Sequence, residues 1–238
     1  MDRLTDAREL LDGPLDDELA VADNLRDLRR INRWLGGVSL SRSAVRALAG
    51  DAEAVTLLDV GTGGADIPMA LISRGRDGSP RIDVVGLDSR AEILNAAVRA
   101  DPLVTETAGL ELVLGDGLAL PFEDDSFDIV HCSLVVHHLA PGEAVALMAE
   151  MRRVARAGVV VNDLDRQWLG WLGAWLIGHL LTGNRYTRHD APLSVRRAYR
   201  AGEMADLLRA AGLEPIRTFR GAVGQRYAIA ARAAVDVA

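Results

Sequence analysis

The 238-residue sequence contains no lysine, so all 27 of its basic side chains are arginines. That absence rules out any catalytic arrangement built on a lysine ammonium, the Tyr-x-x-x-Lys pair of many nicotinamide-dependent oxidoreductases among them. Cysteine is almost missing. Cys132 stands alone and cannot form an intramolecular disulfide, which points to a reducing setting. The chain opens with Asp2 and Arg3 and shows no basic segment followed by an apolar run, so a cytoplasmic location is the expectation. The longest strongly apolar stretch, Trp168 to Leu181, covers 14 residues. A membrane-spanning helix needs about 20, so no span is expected, while peripheral contact with a membrane surface stays open. There is no cationic excess either: the formal net charge is −7. A protein that grips a phosphate backbone usually carries the opposite sign, which argues against nucleic acid as the main partner. No Cys/His cluster or repeated acid spacing suggests a metal site.

What is present suits one α/β domain with a small appended element. Hydrophobic residues make up 49% and charged residues 26%, enough apolar side chain for a full core at ordinary surface charge. Acids crowd the start, at Asp2, Asp6, Glu9, Asp12, Asp16, Asp17, Glu18 and Asp23, and read as a solvated leader. Apolar spacing predicts a helix over 15–35, with Arg26, Arg29, Arg30 and Arg33 on one side, broken by Gly36-Gly37; a second helix is expected over 41–50.

The pattern then alternates. Strands are predicted at 55–60, 82–87, 110–114, 127–133 and 158–162, with helices at 65–74, 89–100 and 142–154 between them. Such alternation implies a mainly parallel sheet covered by helices on both faces. Beyond it the reading is an apolar helix over 166–182, a polar Arg-rich loop over 183–193, a helix over 195–211, and two closing strands at 216–219 and 225–231 that can pair as a hairpin. Residues 166–200 are read as a cap insertion in a domain spanning 51–238, with residues 1–50 as an N-terminal helical extension.

The most informative stretch is Leu57-Leu58-Asp59-Val60-Gly61-Thr62-Gly63-Gly64-Ala65-Asp66. A buried strand delivers an acid and then glycines at a helix start. Glycine permits the tight turn and lets the backbone approach a ligand, while the exposed helix N–H groups suit an anionic group. A dinucleotide fingerprint wants a third glycine where Asp66 stands, and a carboxylate would face a pyrophosphate badly. Asp59 instead suits a ligand carrying an amino group and a carboxylate. Asp88, ending the second strand, can accept hydrogen bonds from two ribose hydroxyls.

These residues resemble motif I and the following strand ends of the class I S-adenosylmethionine (SAM)-dependent methyltransferases, over about residues 53–162. Gly61, Gly63 and Ala65 fill the family's Gly-x-Gly-x-Gly/Ala pattern. The resemblance implies a Rossmann-like seven-stranded fold closed by an antiparallel hairpin. It also implies SAM as cofactor, held by Asp59, Gly61, Thr62, Gly63, Asp88, Ser89, Asp116, Gly117, Leu118 and Ser133, with Asp116 at the adenine amino group. Pro121-Phe122 and Ser126-Phe127-Asp128 resemble the ubiquinone/menaquinone-biosynthesis branch. Flanking segments, including Arg188 to Ser194, resemble bacterial methyltransferases associated with type III polyketide pathways. The implied acceptor is a small, largely apolar molecule of phenolic, quinone-like or polyketide-like kind, methylated by in-line displacement. A nicotinamide-dependent oxidoreductase and a non-catalytic SAM-binding partner protein are the alternatives. Monomer and homodimer both stay open.

The acceptor side offers weaker signals. Trp168, Trp171 and Trp175 share one helix face; Trp171 and Trp175 are candidates for a pocket wall, though such a stripe also suits helix docking or membrane contact. His138, after the fourth strand, is the candidate lining the cleft. His189 beside Asp190 is the candidate general base. Arg188 can hold an acceptor carboxylate or phenolate, or simply pair with one of the protein's acids. Arg33 is placed to reach the carboxylate of SAM.

Overall fold

The computed structural model describes residues 1–15, 17–72 and 80–234. Asp16 of the acidic leader, and residues 73 and 74 of the helix expected over 65–74, lie outside the described residues. Among them seven strands form one sheet: β1 (Ala54–Val60), β2 (Arg81–Asp88), β3 (Leu110–Leu114), β4 (Phe127–Ser133), β5 (Ala155–Leu164), β6 (Leu213–Arg220) and β7 (Arg226–Ala233). Their order is β3-β2-β1-β4-β5-β7-β6. The first five are mutually parallel, and β7 runs antiparallel to both β5 and β6. This is the mainly parallel sheet with a closing hairpin that the sequence implied. Strand order reverses between β1 and β4, and in an open α/β sheet the crevice beyond the strand ends at such a point is where ligands bind.

Side-chain alternation explains how the sheet takes helices on both faces. Leu58, Val60, Val130 and Cys132 point to one face, where they meet Leu147, Met148 and Met151 of α6 (Pro141–Val154) and Met204 and Leu208 of α9 (Ala201–Ala210). Leu57 and Ile129 point to the other, against Leu40, Ala44, Val45 and Leu48 of α2 (Gly37–Ala49) and Ile67 and Leu71 of α3 (Asp66–Ile72). By the same alternation Asp59 and His131 lie on the α2 side. A third cluster joins Val21, Ala22 and Leu25 of α1 (Glu18–Trp34) to Ala96 and Ala97 of α4 (Ala91–Ala100) and to Tyr186. A short helix, α5 (Leu103–Glu106), precedes β3.

Two departures from the expected elements matter for the site. The second helix begins at Gly37, directly after Gly36 turns the chain at φ +86°, rather than at residue 41. Residues 185–193 of the segment 183–193, expected to be a loop, belong to α8 (Arg185–Arg197), which follows α7 (Trp168–Leu176) and a wide π turn at Ile177–Leu181. The Asn184 side chain caps α8 by accepting the Tyr186 N–H. Its buried face carries Thr187, Asp190, Ser194 and Arg197 alongside Val195, so no apolar period announces the helix. Pro192 inside it strengthens the look of a loop. The helix expected over 195–211 is divided as well. Tyr199, buried between α8 and α9, donates its hydroxyl hydrogen to the Leu139 carbonyl at 2.9 Å and ends the first segment. Helix α8 packs on α1 and α7, which places residues 166–200 across the sheet's C-terminal ends from the N-terminal helix.

Candidate active site

The glycine turn sits at the reversal point. Gly61 (φ +70°) and Gly63 (φ +53°) lie in the left-handed region that favours glycine. A Cβ on Gly61 would come within 2.4 Å of Val135 Cγ2, whereas one on Gly63 would meet nothing within 4 Å. Gly61 is therefore fixed by packing, and Gly63 borders free space of the kind a ligand fills. The Gly61 and Thr62 N–H groups both donate to the Leu87 carbonyl, at 2.8 and 2.9 Å, tying the turn to β2.

Three acids surround that turn. Asp88 accepts the Gly63 N–H at 3.0 Å and the Arg90 N–H at 3.1 Å, one on each carboxylate oxygen. Each oxygen keeps a lone pair for a further donor. Burial raises the Asp88 carboxyl above the usual carboxylate range, although both backbone donors pull the other way. Asp116 is exposed and accepts the Leu118 N–H at 2.9 Å, shaping the turn after β3. Asp59 is buried, and its Oδ1 lies 2.6 Å from His131 Nδ1. Thr62 Oγ1 is buried and makes no hydrogen bond within the chain. Ser89, Gly117 and Leu118 lie at the ends of β2 and β3 with Ser89 and Leu118 exposed. Arg33 is exposed; its neighbour Asn32 is buried and donates to Asp66 at 3.0 Å.

Behind the turn runs a buried polar relay that no sequence spacing announced. His131 Nε2 lies 2.7 Å from Ser41 Oγ. Asn162 Nδ2 donates to Ser41 Oγ at 2.7 Å, and Asn162 Oδ1 accepts from Arg226 Nε at 2.6 Å. The same guanidinium donates to Asn32 Oδ1 at 2.6 Å and to Ser133 Oγ at 2.8 Å. Burial pushes the Arg226 pKa down to about 10, with Asp163 and Asp66 opposing it. Ser133, expected at the cofactor, is thus one end of a network that fixes the end of β4.

Next to the end of β4 lies a cavity of about 240 Å³. Leu28 and Ile31 of α1, with Leu35 directly after it, form one wall, and Leu169, Gly170, Gly173, Ala174 and Ile177 another. Leu134, Leu164 and Arg226 contribute from the sheet side. The face of α7 that meets the cavity is therefore the small-residue face. Trp171 and Trp175, expected to wall the pocket, are not among its lining residues. Trp175 lies outside and stacks on His179, with ring centroids 4.5 Å apart, and Trp168 is 63% exposed. The reason is spacing: residues 170, 173, 174 and 177 share one helical face, the tryptophans another.

The histidines divide the same way. His189 contacts Asp190 through Nδ1 at 2.7 Å, but its side chain is 48% exposed. Because α8 is a helix, it turns Asp190 inward and His189 outward, so His189 does not border the cavity as expected of a base. Asp190 instead accepts the Leu10 and Leu11 N–H groups. Arg188 is exposed and outside the lining. His138 does line the cavity, together with His137 and Glu9. Glu9 is 5% exposed; burial pushes its carboxyl up to about 7, with His138 and Arg197 pulling the other way. Glu9 was legible only as one acid of a solvated leader, and nothing local marks it as buried.

Comparison with known proteins identifies the family and the fold. Residues 58–161 match a family model described as "Methyltransferase domain". A demethylmenaquinone methyltransferase of Roseiflexus castenholzii is 30% identical over 191 residues, covering 75% of this chain and 76% of the relative. A SAM-dependent methyltransferase from Aquifex aeolicus superposes with a TM-score of 0.62 at 19% identity, over 88% of this chain and 97% of that one. Human N-acetylserotonin methyltransferase, solved in complex with SAM, gives 0.64 at 15% identity, over 92% of this chain and 57% of that one.

Proposed function

The chain belongs to the class I SAM-dependent methyltransferases, and from that membership we propose that its acceptor is a small, largely apolar phenol or quinol. The observation that carries the proposal is the cavity beside β4, whose walls are mostly leucine, isoleucine, glycine and alanine. Such a site binds by apolar burial and fixes orientation with a few polar groups, here Glu9, His137 and His138. The Roseiflexus relative, by its name, acts on a quinone precursor, which favours the same class.

On this reading the cofactor lies over Gly61, Thr62 and Gly63. Asp88 receives the ribose hydroxyls on its free lone pairs, and Asp116, with Gly117 and Leu118, bounds the adenine. Asp59 and Ser133 act from behind, through His131 and Arg226. SAM supplies a methyl group on a sulfonium, a strong electrophile that leaves as S-adenosylhomocysteine. The chain's task is then to align the acceptor oxygen or carbon and to exclude water. The cavity wall performs both, and His138 stands where an acceptor hydroxyl needs a hydrogen-bond partner. Residues 1–50 and 166–200 are the acceptor-specific parts added to the methyltransferase domain.

A lipid surface is the source of acceptor that we favour. No helix among the described residues is long and apolar enough to cross a membrane. Yet Trp34, Trp168, Leu180, Leu181 and Val223 are all more than 60% exposed. Val223, Leu35 and Leu169 are exposed and also line the cavity, so exposed apolar side chains border it. Large exposed apolar side chains around a pocket favour an interaction face, and amphipathic elements lie in membrane interfaces.

The test is turnover. The protein is incubated with methyl-labelled SAM and a panel of alkylphenols and quinols, free or in vesicles. S-adenosylhomocysteine should form with acceptors that carry an apolar substituent. Tight SAM binding with no product from any phenol or quinol would remove the acceptor assignment.

A further inference from the structure

The inner wall of the cavity holds a grouping whose arrangement hydrogen bonding to an acceptor does not by itself explain. His137 and His138 are each fixed through Nδ1 by a carboxylate: His137 by Asp163 Oδ1 at 2.7 Å and His138 by Asp12 Oδ1 at 2.8 Å. Both Nε2 atoms face one carboxylate. His137 Nε2 is 3.8 Å from Glu9 Oε1, and His138 Nε2 is 3.9 Å from Glu9 Oε2. Neither separation is a hydrogen bond. Glu9 Oε1 is buried and makes no hydrogen bond at all. One ligand atom from each of the three residues falls within 4.8 Å of the other two.

We propose that Glu9, His137 and His138 bind a divalent transition-metal cation at the cavity wall. Three features carry this. The donor set of two imidazoles and one carboxylate is one that such cations take while keeping positions open. Each histidine has the outer carboxylate partner typical of a metal-bound imidazole, which fixes the tautomer and leaves Nε2 as the ligand. The third is the buried carboxylate oxygen without a hydrogen bond, a costly state that a cation between the three groups relieves.

The distances are compatible with closure on an ion. Ligand atoms about 2.0–2.2 Å from a shared metal stand roughly 3–3.5 Å apart, so the two His–Glu pairs at 3.8 and 3.9 Å must close by less than about 1 Å, and the third pair, within 4.8 Å, by at most about 1.8 Å. Arg197 Nη1 lies 3.5 Å from Glu9 Oε1, but it is already held by Asp12 at 2.6 Å and, through Nη2, by the His138 carbonyl at 2.9 Å. Its charge is shared with Asp12 and does not fill the space between the imidazoles and Glu9. The three ligands occupy one side of the ion. The other side opens on the cavity, where an oxygen of the acceptor would complete the coordination. That last role rests on the acceptor reading above; the binding of the ion does not.

The probe is cobalt(II), whose visible ligand-field spectrum reports imidazole and carboxylate coordination directly. The full chain is stripped with chelator, exchanged into metal-free buffer and titrated with cobalt chloride, without any acceptor. One equivalent should bind and develop a saturable visible band. Glu9→Gln, which keeps size and removes charge, and His138→Ala should each weaken binding at least tenfold, the loss typical when one element of such a site is removed. His179→Asn, remote from the cluster, should leave the titration unchanged. SAM affinity, measured on the same preparations, reports that each variant is folded. A folded protein that develops no saturable band, or equal cobalt binding by the wild type and both cluster variants, would overturn the proposal and leave the three groups as a charge-paired His–Glu cluster.

Discussion

Arg226, the first residue of β7, donates through Nε to Asn162 Oδ1 of the adjoining strand β5 at 2.6 Å. That bond joins the closing hairpin to the strand that leads toward α7. The guanidinium is 2% exposed and interacts with the charges of Asp163 and Asp66. Removing one partner of a buried charge network leaves the others uncompensated, at a cost of about 3–5 kcal/mol. Arg226→Leu should therefore lower the free energy of unfolding by about 3 kcal/mol or more in urea denaturation. A loss under about 1 kcal/mol would place the residue among weakly coupled surface arginines.

With Asp88 at the ribose as proposed, Asp88→Ala removes both acceptor oxygens along with the anchor of the Gly63 N–H. Hydrogen bonds to a charged group contribute about 1.5–3 kcal/mol each, so SAM affinity should fall by at least about a hundredfold in calorimetric titration. Unchanged affinity would dismantle the cofactor assignment.

The same carboxylate sets a pH dependence. Burial raises its pKa in the folded chain, and the charged form is the better acceptor. SAM affinity should therefore be full well above that raised pKa and decline as pH falls through it. The decline should begin at a higher pH than an exposed aspartate would give, and it should be missing in Asp88→Asn, whose affinity is low throughout.

Gly173 offers a separation of the two sites. A Cβ there meets nothing within 4 Å, and the residue lines the cavity. Gly173→Leu should fill acceptor space, leaving SAM affinity within about twofold while methyl transfer to alkylphenols falls at least tenfold. Since glycine to leucine also favours the helix, by up to about 1 kcal/mol, the thermal midpoint should not drop. Equal losses in both readouts would mean that α7 supports the cofactor instead.

Exposed Trp168 and Leu181 provide the membrane test. Trp168→Glu/Leu181→Glu should reduce co-sedimentation with phosphatidylcholine–phosphatidylglycerol vesicles severalfold without changing SAM binding. Trp171 is half-buried, so its replacement should act mainly on stability. Identical sedimentation of the double variant and the wild type would remove the lipid surface from the proposal.

The sequence by itself determined the sheet and the glycine turn after β1. Apolar runs punctuated by glycine and acid fix parallel strands locally, and Asp59, Gly61, Gly63, Asp88 and Asp116 are legible because each stands a fixed step from a strand end. Only the tertiary structure decided which residues line the cavity. Helix α8 is concealed in the sequence because its buried face is polar and finds its partners far along the chain, as Thr187 does in Asn24 and Asp190 in the Leu10 and Leu11 amides. Helix α7 presents two plausible faces, and its glycine–alanine face, not its tryptophan face, meets the cavity. Glu9 meets His137 and His138 across more than a hundred residues of chain. No local spacing encodes that meeting, since it follows from the N-terminal segment docking on α8, where burial and long-range hydrogen bonds outweigh the preference of a charged leader for water.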